Sequence, residues 1–330
     1  MNQDASGTSR AVCSLCDAHC GLRVRVTEGR VVEVRGDVND PFSRGHICPK
    51  AAALGDLMSD PDRVRAPLKR VGSEFVPVSW EEALTDIGAR LAAIRARHGA
   101  DAIATYLGNP TAHDYGAALA STVLRGVLLG KNHFSATSLD TLPRVVTSAA
   151  MYGTPAAVPV PDLDHTEHLL MIGANPMVSN GSGMVSPDIG KRLRAIQERG
   201  GRIVVVDPRR TETAELADEH HFVRPGADVF LLLAIVERLF ASGVAARSPF
   251  CREAGFDALR DAVRGFPAER VAERVGLPAA TIHRIADDGS GSALLDRYGR
   301  VVDLIRADGF EVVEELYTFV EGNEPINMAL

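Results

Sequence analysis

Four of the five cysteines lie within the first 48 residues, at a spacing that could bind a metal centre. Cys13, Cys16, Cys20 and Cys48 form the pattern C-x2-C-x3-C-x27-C. Three thiolates close in sequence can wrap one side of a metal centre, and a fourth from a distant loop can close it. Four cysteines are the usual ligands of an iron–sulfur cubane. The spacing therefore predicts a 4Fe–4S cluster on these four residues.

Two other interpretations of the cysteines remain open. Structural zinc sites commonly pair two C-x2-C turns, but Cys48 has no second cysteine nearby. The other possibility is that the thiols bind no metal.

His19 and His46 lie beside the cysteines and are expected near the site rather than as ligands. Cys251, about 200 residues away, is predicted to be a small buried apolar side chain.

The pattern of apolar residues predicts the elements that must position these groups. Valines alternate on both sides of Glu28-Gly29-Arg30, which predicts a hairpin between the third and fourth cysteines. Ser79 and Glu82 form a capping box that predicts a helix extending to Gly99. Strands then alternate with helices, which is typical of a parallel sheet covered on both faces. Ligands of such sheets bind at the carboxyl ends of the strands, here in the loops 108–110, 173–183 and 207–213.

Charge and composition exclude several classes of protein. The 330 residues carry a net charge of −7, and 45% are hydrophobic. There is no overall basic excess to favour nucleic acid, and no apolar run is long enough to span a membrane. The sequence begins without an apolar signal core, so we expect a cytoplasmic protein.

The last 44 residues differ from the rest of the chain. Ten acidic and three basic residues follow Ala286, so this stretch carries the whole net charge, and it contains Gly289-Ser290-Gly291. The composition predicts a linker there, followed by an acidic tail of one helix and one strand. The predicted domains are residues 1–60 for the cluster, 61–286 for a second domain, and 287–330 for this tail.

Several ordered motifs resemble one family. Two motifs resemble the molybdopterin-dependent oxidoreductases: Cys48-Pro49-Lys50 after the cysteine cluster, and Val78-Ser79-Trp80-Glu81-Glu82-Ala83 farther on. That family includes formate dehydrogenases, nitrate reductases and dimethyl sulfoxide reductases. Three later motifs resemble the loops that hold the pterin nucleotide in that family: Ile172 to Pro176, Val206 to Ala214, and Arg224 to Asp228. The likeness covers roughly residues 11–286.

The resemblance implies a fold, cofactors and roles for particular residues. The fold is α/β, with a small N-terminal β-rich iron–sulfur domain followed by a parallel-sheet α/β domain that binds the pterin nucleotide. The cofactors are a 4Fe–4S cluster and molybdopterin guanine dinucleotide with molybdenum or tungsten. Lys50 is the electron relay between them. The residues expected at the nucleotide are Gly173, Asn175, Pro176, Asp207, Arg209, Thr211, Thr213, Gly226 and Asp228.

The position of a protein ligand to molybdenum departs from the family pattern. Val146 occupies the place where the formate and periplasmic nitrate enzymes have a cysteine or selenocysteine, and a valine cannot bind a metal. The serine of the sulfoxide reductases aligns with Asp140, two residues after Ser138. An aspartate oxygen can bind an oxidised, hard metal. Asp140 is therefore a candidate ligand, the alternatives being a helix cap or a metal with no protein ligand.

We expect a shortened molybdopterin oxidoreductase that moves electrons between a pterin-bound metal and the cluster. Its partners would be a small-molecule substrate and a redox partner protein or domain, with no nucleic acid. The alternative is an iron–sulfur electron-transfer or assembly module without a working molybdenum site. The motifs do not indicate the substrate.

Overall fold

The fold is described from a computed structural model covering residues 7–108, 110–157, 159–247, 251 and 255–293. Contacts divide the chain into two compact units. The first unit comprises Met1–Pro159 and Val185–Pro187, and the second comprises Val160–Met184 and Asp188–Leu330. Within the described residues, no helix is long and apolar enough to cross a membrane.

The first unit begins with a three-stranded antiparallel sheet in the order β1-β2-β3. Its strands are β1 Gly7–Val12, β2 Gly21–Thr27 and β3 Arg30–Gly36. Glu28 and Gly29 both have positive φ and form the tight turn between β2 and β3, which confirms the predicted hairpin. Two short helices follow Cys48, α1 Pro49–Ala52 and α2 Leu54–Ser59.

The remainder of the first unit contains two more small sheets and several helices. The antiparallel pair is β4 Leu68–Val71 with β5 Glu74–Pro77, and the parallel pair is β6 Thr105–Leu107 with β7 His133–Ser135. The helices are α3 Trp80–His98, a 3-10 turn at Ala100–Ala102, α4 Pro110–His113, α5 Tyr115–Leu128, α6 Thr137–Asp140 and α7 Leu142–Tyr152.

The start of α3 is fixed by the predicted cap. The Ser79 hydroxyl accepts a hydrogen bond from the Glu82 amide at 3.1 Å, which satisfies one of the free donors of the first turn. Gly99 ends the helix with φ +83, a conformation that a residue with a side chain rarely adopts.

The second unit is built on a parallel three-stranded sheet in the order β10-β9-β8. Its strands are β8 His168–Ile172, β9 Arg202–Val206 and β10 Glu219–His221. The helices are α8 Pro176–Ser179, α9 Ile189–Glu198, α10 Glu212–Leu216, α11 Asp228–Ala241, a 3-10 turn at Ala245–Arg247, α12 Phe256–Val263, α13 Ala268–Val275 and α14 Ala279–Ala293.

Alternate residues of these strands bury their side chains against helices on opposite faces of the sheet. Leu170, Val204 and Val206 belong to a core cluster with α11, α13 and α14. Met171 and Val205 belong to a second cluster with α9 and Ala214 of α10. Apolar layers on both faces are what a parallel sheet requires. The predicted fold class, an N-terminal β-rich region and a parallel-sheet α/β body, is confirmed.

The linker predicted at Gly289-Ser290-Gly291 is wrong. Helix α14 continues through these residues to Ala293. Its later turns are attached to the second unit, because Arg238 makes two hydrogen bonds of 2.8 Å to Asp287 and Arg202 lies 2.9 Å from Asp288. The predicted acidic helix and strand beyond Ala293 lie outside the described residues.

Candidate functional site

The four clustered cysteines lie together in the core of the first unit. Cys13 and Cys20 are buried, at 4% and 7% exposure, and Cys16 and Cys48 are half-buried in the same apolar cluster. Leu22 and Ala51 are buried with them. Cys251 is a half-buried free thiol of the second unit.

Backbone hydrogen bonds bring the distant segments to one place. The Cys13 amide donates to the Cys20 carbonyl at 2.9 Å, closing the loop that carries the first three cysteines. The Gly21 amide then donates to the Ser43 hydroxyl at 3.0 Å. The loop from Ser43 leads to Cys48, which precedes the first residue of α1.

Two glycines are required for this arrangement. A Cβ on Gly21 would lie 2.6 Å from the Cβ of Asp40, and a Cβ on Gly36 would lie 1.9 Å from the Gly45 carbonyl oxygen. Gly45 itself has φ +88. The 40–48 loop can therefore approach β2 and β3 only because these positions have no side chain.

Asp40 and Ser43 hold the loop between the third and fourth cysteines. The amide and the hydroxyl of Ser43 both donate to an Asp40 carboxylate oxygen at 2.6 Å. These hydrogen bonds lower the pKa of the Asp40 carboxyl below its ordinary value. The ionised Asp40 carboxylate is the form that accepts both hydrogen bonds, so the turn is held while Asp40 is charged.

The surroundings of Cys13 and Cys20 favour neutral thiols while no cation is bound. Burial raises the pKa of the Cys13 thiol, and burial together with the neighbouring cysteines raises the pKa of Cys20 to about 11. Four thiolates in an apolar pocket need compensating positive charge, and iron supplies it. This all-sulfur donor set fits an iron–sulfur cubane. In the described residues, no three His, Cys, Asp or Glu side chains are arranged to hold a single metal ion.

Lys50, His19 and His46 lie close to this cluster in sequence. Lys50 is exposed in α1, and its charge opposes the rise in the Cys13 pKa. The His19 ring lies 6.1 Å from that of His113, in an edge-on arrangement. His46 donates its backbone amide to the Ser43 carbonyl at 2.8 Å.

In the second unit, the three predicted nucleotide loops follow three neighbouring parallel strands. Ile172 at the end of β8 pairs with Val206 at the end of β9, and His221 at the end of β10 also pairs with Val206. The loops that begin at Gly173, Asp207 and Phe222 therefore leave the same edge of one sheet. Such carboxyl edges are where ligands bind in α/β folds.

A network centred on Asn175 joins the first two loops. Its side-chain oxygen accepts from the Thr213 hydroxyl at 2.7 Å, and its side-chain nitrogen donates to Glu212 at 2.9 Å. The latter hydrogen bond lowers the pKa of the Glu212 carboxyl. Pro176 is the buried first residue of α8. Asn175 thus fixes the distance between the loops.

Thr211, Thr213 and Asp207 make hydrogen bonds inside the loops, and their predicted role at the nucleotide stays a prediction. The Thr213 hydroxyl is fully buried and also accepts from the Met177 amide at 3.1 Å. The Thr211 hydroxyl caps α10 by accepting from the Ala214 amide at 3.0 Å. The Asp207 carboxylate accepts from the Arg209 amide at 2.7 Å. Each of these side chains holds a turn, and none donates outward in these contacts.

Other predicted residues face open space at this edge. Gly173 and Gly226 have φ of +67 and +76, and a Cβ at either position would have no atom within 4 Å. The Arg209 side chain is 66% exposed and lies 3.7 Å from Glu212. Asp228 is the half-buried first residue of α11. Open backbone with a nearby cation fits a pyrophosphate group.

Asp140 ends α6 in the first unit and is exposed, as is Ser138. Val146 is 59% exposed in α7. A cavity of the first unit is lined by Gly108 of the predicted ligand loop 108–110, and also by Arg125 of α5 and hydroxyl groups of the 135–137 loop, which the sequence analysis did not indicate. The signal that could have found it is the position of that loop directly after a parallel strand.

Comparison with family models shows which protein family the chain belongs to. The model described as Molybdopterin oxidoreductase matches residues 63–283, and the one described as Molybdopterin oxidoreductase Fe4S4 domain matches residues 7–60. The chain belongs to the molybdopterin oxidoreductase family. The cofactors that these domains indicate are molybdopterin with molybdenum or tungsten and a 4Fe–4S cluster.

Relatives in this family are substantially longer than the present chain. The α subunit of the F420-dependent formate dehydrogenase 2 of Methanococcus maripaludis is 28% identical over 82% of this chain and 39% of its own length. A nitrate reductase of Klebsiella oxytoca is 30% identical over 83% of this chain and 30% of its own. The solved acetylene hydratase of Pelobacter acetylenicus has a TM-score of 0.68 at 26% identity, covering 84% of this chain and 38% of that one.

Proposed function

We propose that this chain forms the part of a molybdopterin oxidoreductase that binds the 4Fe–4S cluster and the nucleotide of the pterin, and that it passes electrons between the pterin-bound metal and the cluster. Two features of the chain support the proposal. Four cysteines lie in one core, and three loops of the type that binds the pterin nucleotide leave one edge of a parallel sheet. The substrate is a small molecule, and the electrons are exchanged with a redox partner.

The proposed cluster ligands are Cys13, Cys16, Cys20 and Cys48. Lys50 is proposed as the residue through which electrons pass to or from the cluster, because it lies in α1, two residues after the fourth cysteine, where the family has its relay lysine. A positive charge beside an anionic cluster stabilises the reduced form. When bound, the molybdenum or tungsten of the pterin supplies two-electron chemistry. Asp140 remains a proposed ligand to that metal.

At the sheet edge, the chain's own groups would bind and orient the nucleotide. Arg209 supplies positive charge for the pyrophosphate, and the open backbone at Gly173 and Gly226 lets the phosphates approach closely. Asp228 is proposed to accept hydrogen bonds from the guanine edge. Asn175, Thr211, Thr213, Asp207 and Pro176 hold the loops that present these groups.

The decisive experiment is metal and pterin analysis of protein purified without oxygen. We expect about four irons per chain, the number in one cubane, together with molybdenum or tungsten and an extractable pterin nucleotide. Iron without pterin or its metal would instead favour the alternative, an iron–sulfur electron-transfer or assembly module. Zinc in place of iron would contradict both.

Variants test the nucleotide edge separately from the cluster. Arg209→Gln should lower the pterin content and leave the iron content unchanged. Arg260→Gln is a matched control, because Arg260 pairs with Asp257 on α12. Asp228→Ala should reduce a preference for GDP over ADP in equilibrium binding. Unchanged pterin content in Arg209→Gln would remove Arg209 from the proposed site.

Cellular location is a separate question from these roles. We propose a cytoplasmic protein. One relative in the family is the Periplasmic nitrate reductase of Desulfovibrio desulfuricans, 30% identical over 67% of this chain. Fractionation of the native cells would decide between the two compartments.

A further inference from the structure

One face of the β1-β2-β3 sheet carries a row of arginines. Arg10 of β1, Arg23 of β2 and Arg35 of β3 lie directly opposite one another in the antiparallel register. Side chains that are directly opposite lie on the same face of a sheet, and so does Arg25, two residues after Arg23. All four side chains belong to exposed residues. We call the surface formed by these four residues the arginine face.

Nearby carboxylates neutralise only part of this charge. Glu33 pairs with Arg25 at 3.2 Å and with Arg35 at 2.6 Å. Asp37, just after β3, pairs with Arg10 at 3.0 Å. The three strands contain no acidic residue besides Glu33. Two carboxylates therefore meet four guanidinium groups, and the arginine face keeps a positive charge.

The middle of the row is the least neutralised position. Arg23 lies between Arg10 and Arg35, and among the residues that the structure describes it has no ion pair. Like charges that are directly opposite destabilise a sheet. The stability of the sheet therefore does not explain this row, and a negatively charged partner would.

The opposite face of the same sheet packs against the cysteines. Leu22, Val24 and Val34 belong to the core cluster that contains the four predicted ligands. Since side chains alternate between the two faces of a strand, one sheet separates the arginine face from the cluster site. Val12, the exposed last residue of β1, shares the side of the arginines and directly precedes Cys13. The surface nearest the cysteines thus combines positive charge with an exposed apolar side chain.

We propose that the arginine face docks an acidic electron-carrier protein, which exchanges single electrons with the 4Fe–4S cluster across the sheet. In each encounter one electron leaves the reduced carrier and enters the oxidised cluster, and no bond or proton is transferred. Complementary charge speeds the encounter and orients the partner. The inference rests on the proposed function, because it requires a cluster on the four cysteines.

Other polyanions, such as nucleic acid and anionic lipid, could also bind arginines. The place of the arginine face directly across the sheet from the cysteines favours a redox protein, since neither of the others would use the cluster. DNA and lipid vesicles are therefore included in the test as competing partners.

The test uses the full chain with its cluster reconstituted without oxygen, and a plant-type 2Fe–2S ferredoxin as the acidic probe. Calorimetry measures the affinity for oxidised ferredoxin, and stopped-flow absorbance follows the reoxidation of reduced ferredoxin. We expect binding to weaken as NaCl rises from about 50 to 500 mM, because salt screens exposed charges. Arg23→Gln combined with Arg35→Gln should weaken binding by about tenfold and slow the reoxidation.

Matched variants separate charge at this face from charge in general. Arg90→Gln combined with Arg97→Gln removes two exposed positive charges from α3 of the same unit and should leave binding unchanged. Arg23→Lys combined with Arg35→Lys keeps the charge and should retain most of the affinity. Arg23→Gln alone breaks no ion pair, should weaken binding by about threefold, and decides the question if the double variant does not fold.

Iron content per chain distinguishes failure of this inference from failure of the proposed function. A wild type that binds no iron would contradict the proposed function and the docking together. Full iron content with equal ferredoxin affinity in the wild type and the glutamine variants would overturn the docking alone. So would no ferredoxin binding by the iron-loaded wild type at low salt. Tighter arginine-dependent binding of a DNA duplex or of phosphatidylserine vesicles than of ferredoxin would also overturn it.

Discussion

The four clustered cysteines and Cys251 have different surroundings, which predicts which replacement removes iron. Cys48 packs in the same core as Cys13 and Cys20 but reaches it from a different loop. We expect Cys48→Ala to lose most of the bound iron, because a cubane needs its fourth ligand. Cys251→Ala should keep the wild-type iron content. Iron per chain after anaerobic reconstitution measures both.

The contrary outcomes of this comparison have different meanings. Full iron content in Cys48→Ala would show that the cluster is bound in another way. Loss of iron in Cys251→Ala would place a ligand in the second unit and remove the basis for the assignment.

Thr213 offers a prediction about the nucleotide loops that requires no cofactor. Its buried hydroxyl donates to Asn175 and accepts from the Met177 amide. Thr213→Val keeps the shape but leaves these partners unsatisfied, so we expect a loss of about 1–3 kcal/mol in the free energy of unfolding. Thr85→Val, at an exposed position of α3, should change it by less than about 0.5 kcal/mol. Urea unfolding measures both, and equal stability of the two variants would contradict the network.

At the level of single residues, sequence could predict that the four cysteines lie together, but not the hydrogen bonds that the loop hydroxyls make. The cysteine spacing restricts the ligand geometry by itself. A threonine beside a glycine-rich loop can bind phosphate or hold the turn, and the choice depends on which tertiary partners it meets. Thr213 meets Asn175 from another strand's loop, which no local pattern indicates.

At the level of elements, periodicity predicted the hairpin, α3 and the parallel strands because each has a regular apolar pattern. It failed at α14, where glycines suggested a linker. Ile282 and Ile285 are buried in the core, and ion pairs at Asp287 and Asp288 attach the next turn. These tertiary contacts outweigh the low helix propensity of glycine.

Strand β8 contains a histidine that should make stability depend on pH. Burial lowers the pKa of His168 below its ordinary value of 6.5, Arg202 lowers it further, and Asp288 opposes the shift. The unfolded chain therefore takes up a proton at higher pH than the folded chain does. Stability contributed by the neutral histidine is present above pH 6.5 and is lost as pH falls towards the lower folded pKa.

We expect His168→Gln to reduce this dependence. Urea midpoints of the wild type should fall between neutral and mildly acidic pH, and those of the variant should fall less. His98→Gln is the control, because His98 is exposed at the end of α3. An identical pH dependence in the wild type and His168→Gln would show that other groups are responsible for the change.

At the level of the whole molecule, the two units differ in how much apolar surface they bury. The second unit covers its sheet on both faces, whereas α3 has no buried residue and α5 has only Leu128. Tyr106 and Phe134, which pair across β6 and β7, are 74% and 55% exposed. The chain spans 39% and 30% of two of its relatives. Exposed patches of this kind promote association.

Helix α5 allows this to be tested on one face. Leu119, Val123 and Val127 recur every fourth residue and are 54%, 66% and 61% exposed. We expect the chain to self-associate as its concentration rises, and a Leu119→Lys, Val123→Glu, Val127→Lys variant to associate less, because charges replace the stripe while favourable i,i+4 pairs support the helix. Sedimentation velocity measures the change. The same charges placed at Thr85, Ala89 and Ala93 of α3 provide the control, and equal association in both variants would show that the α5 face does not drive it.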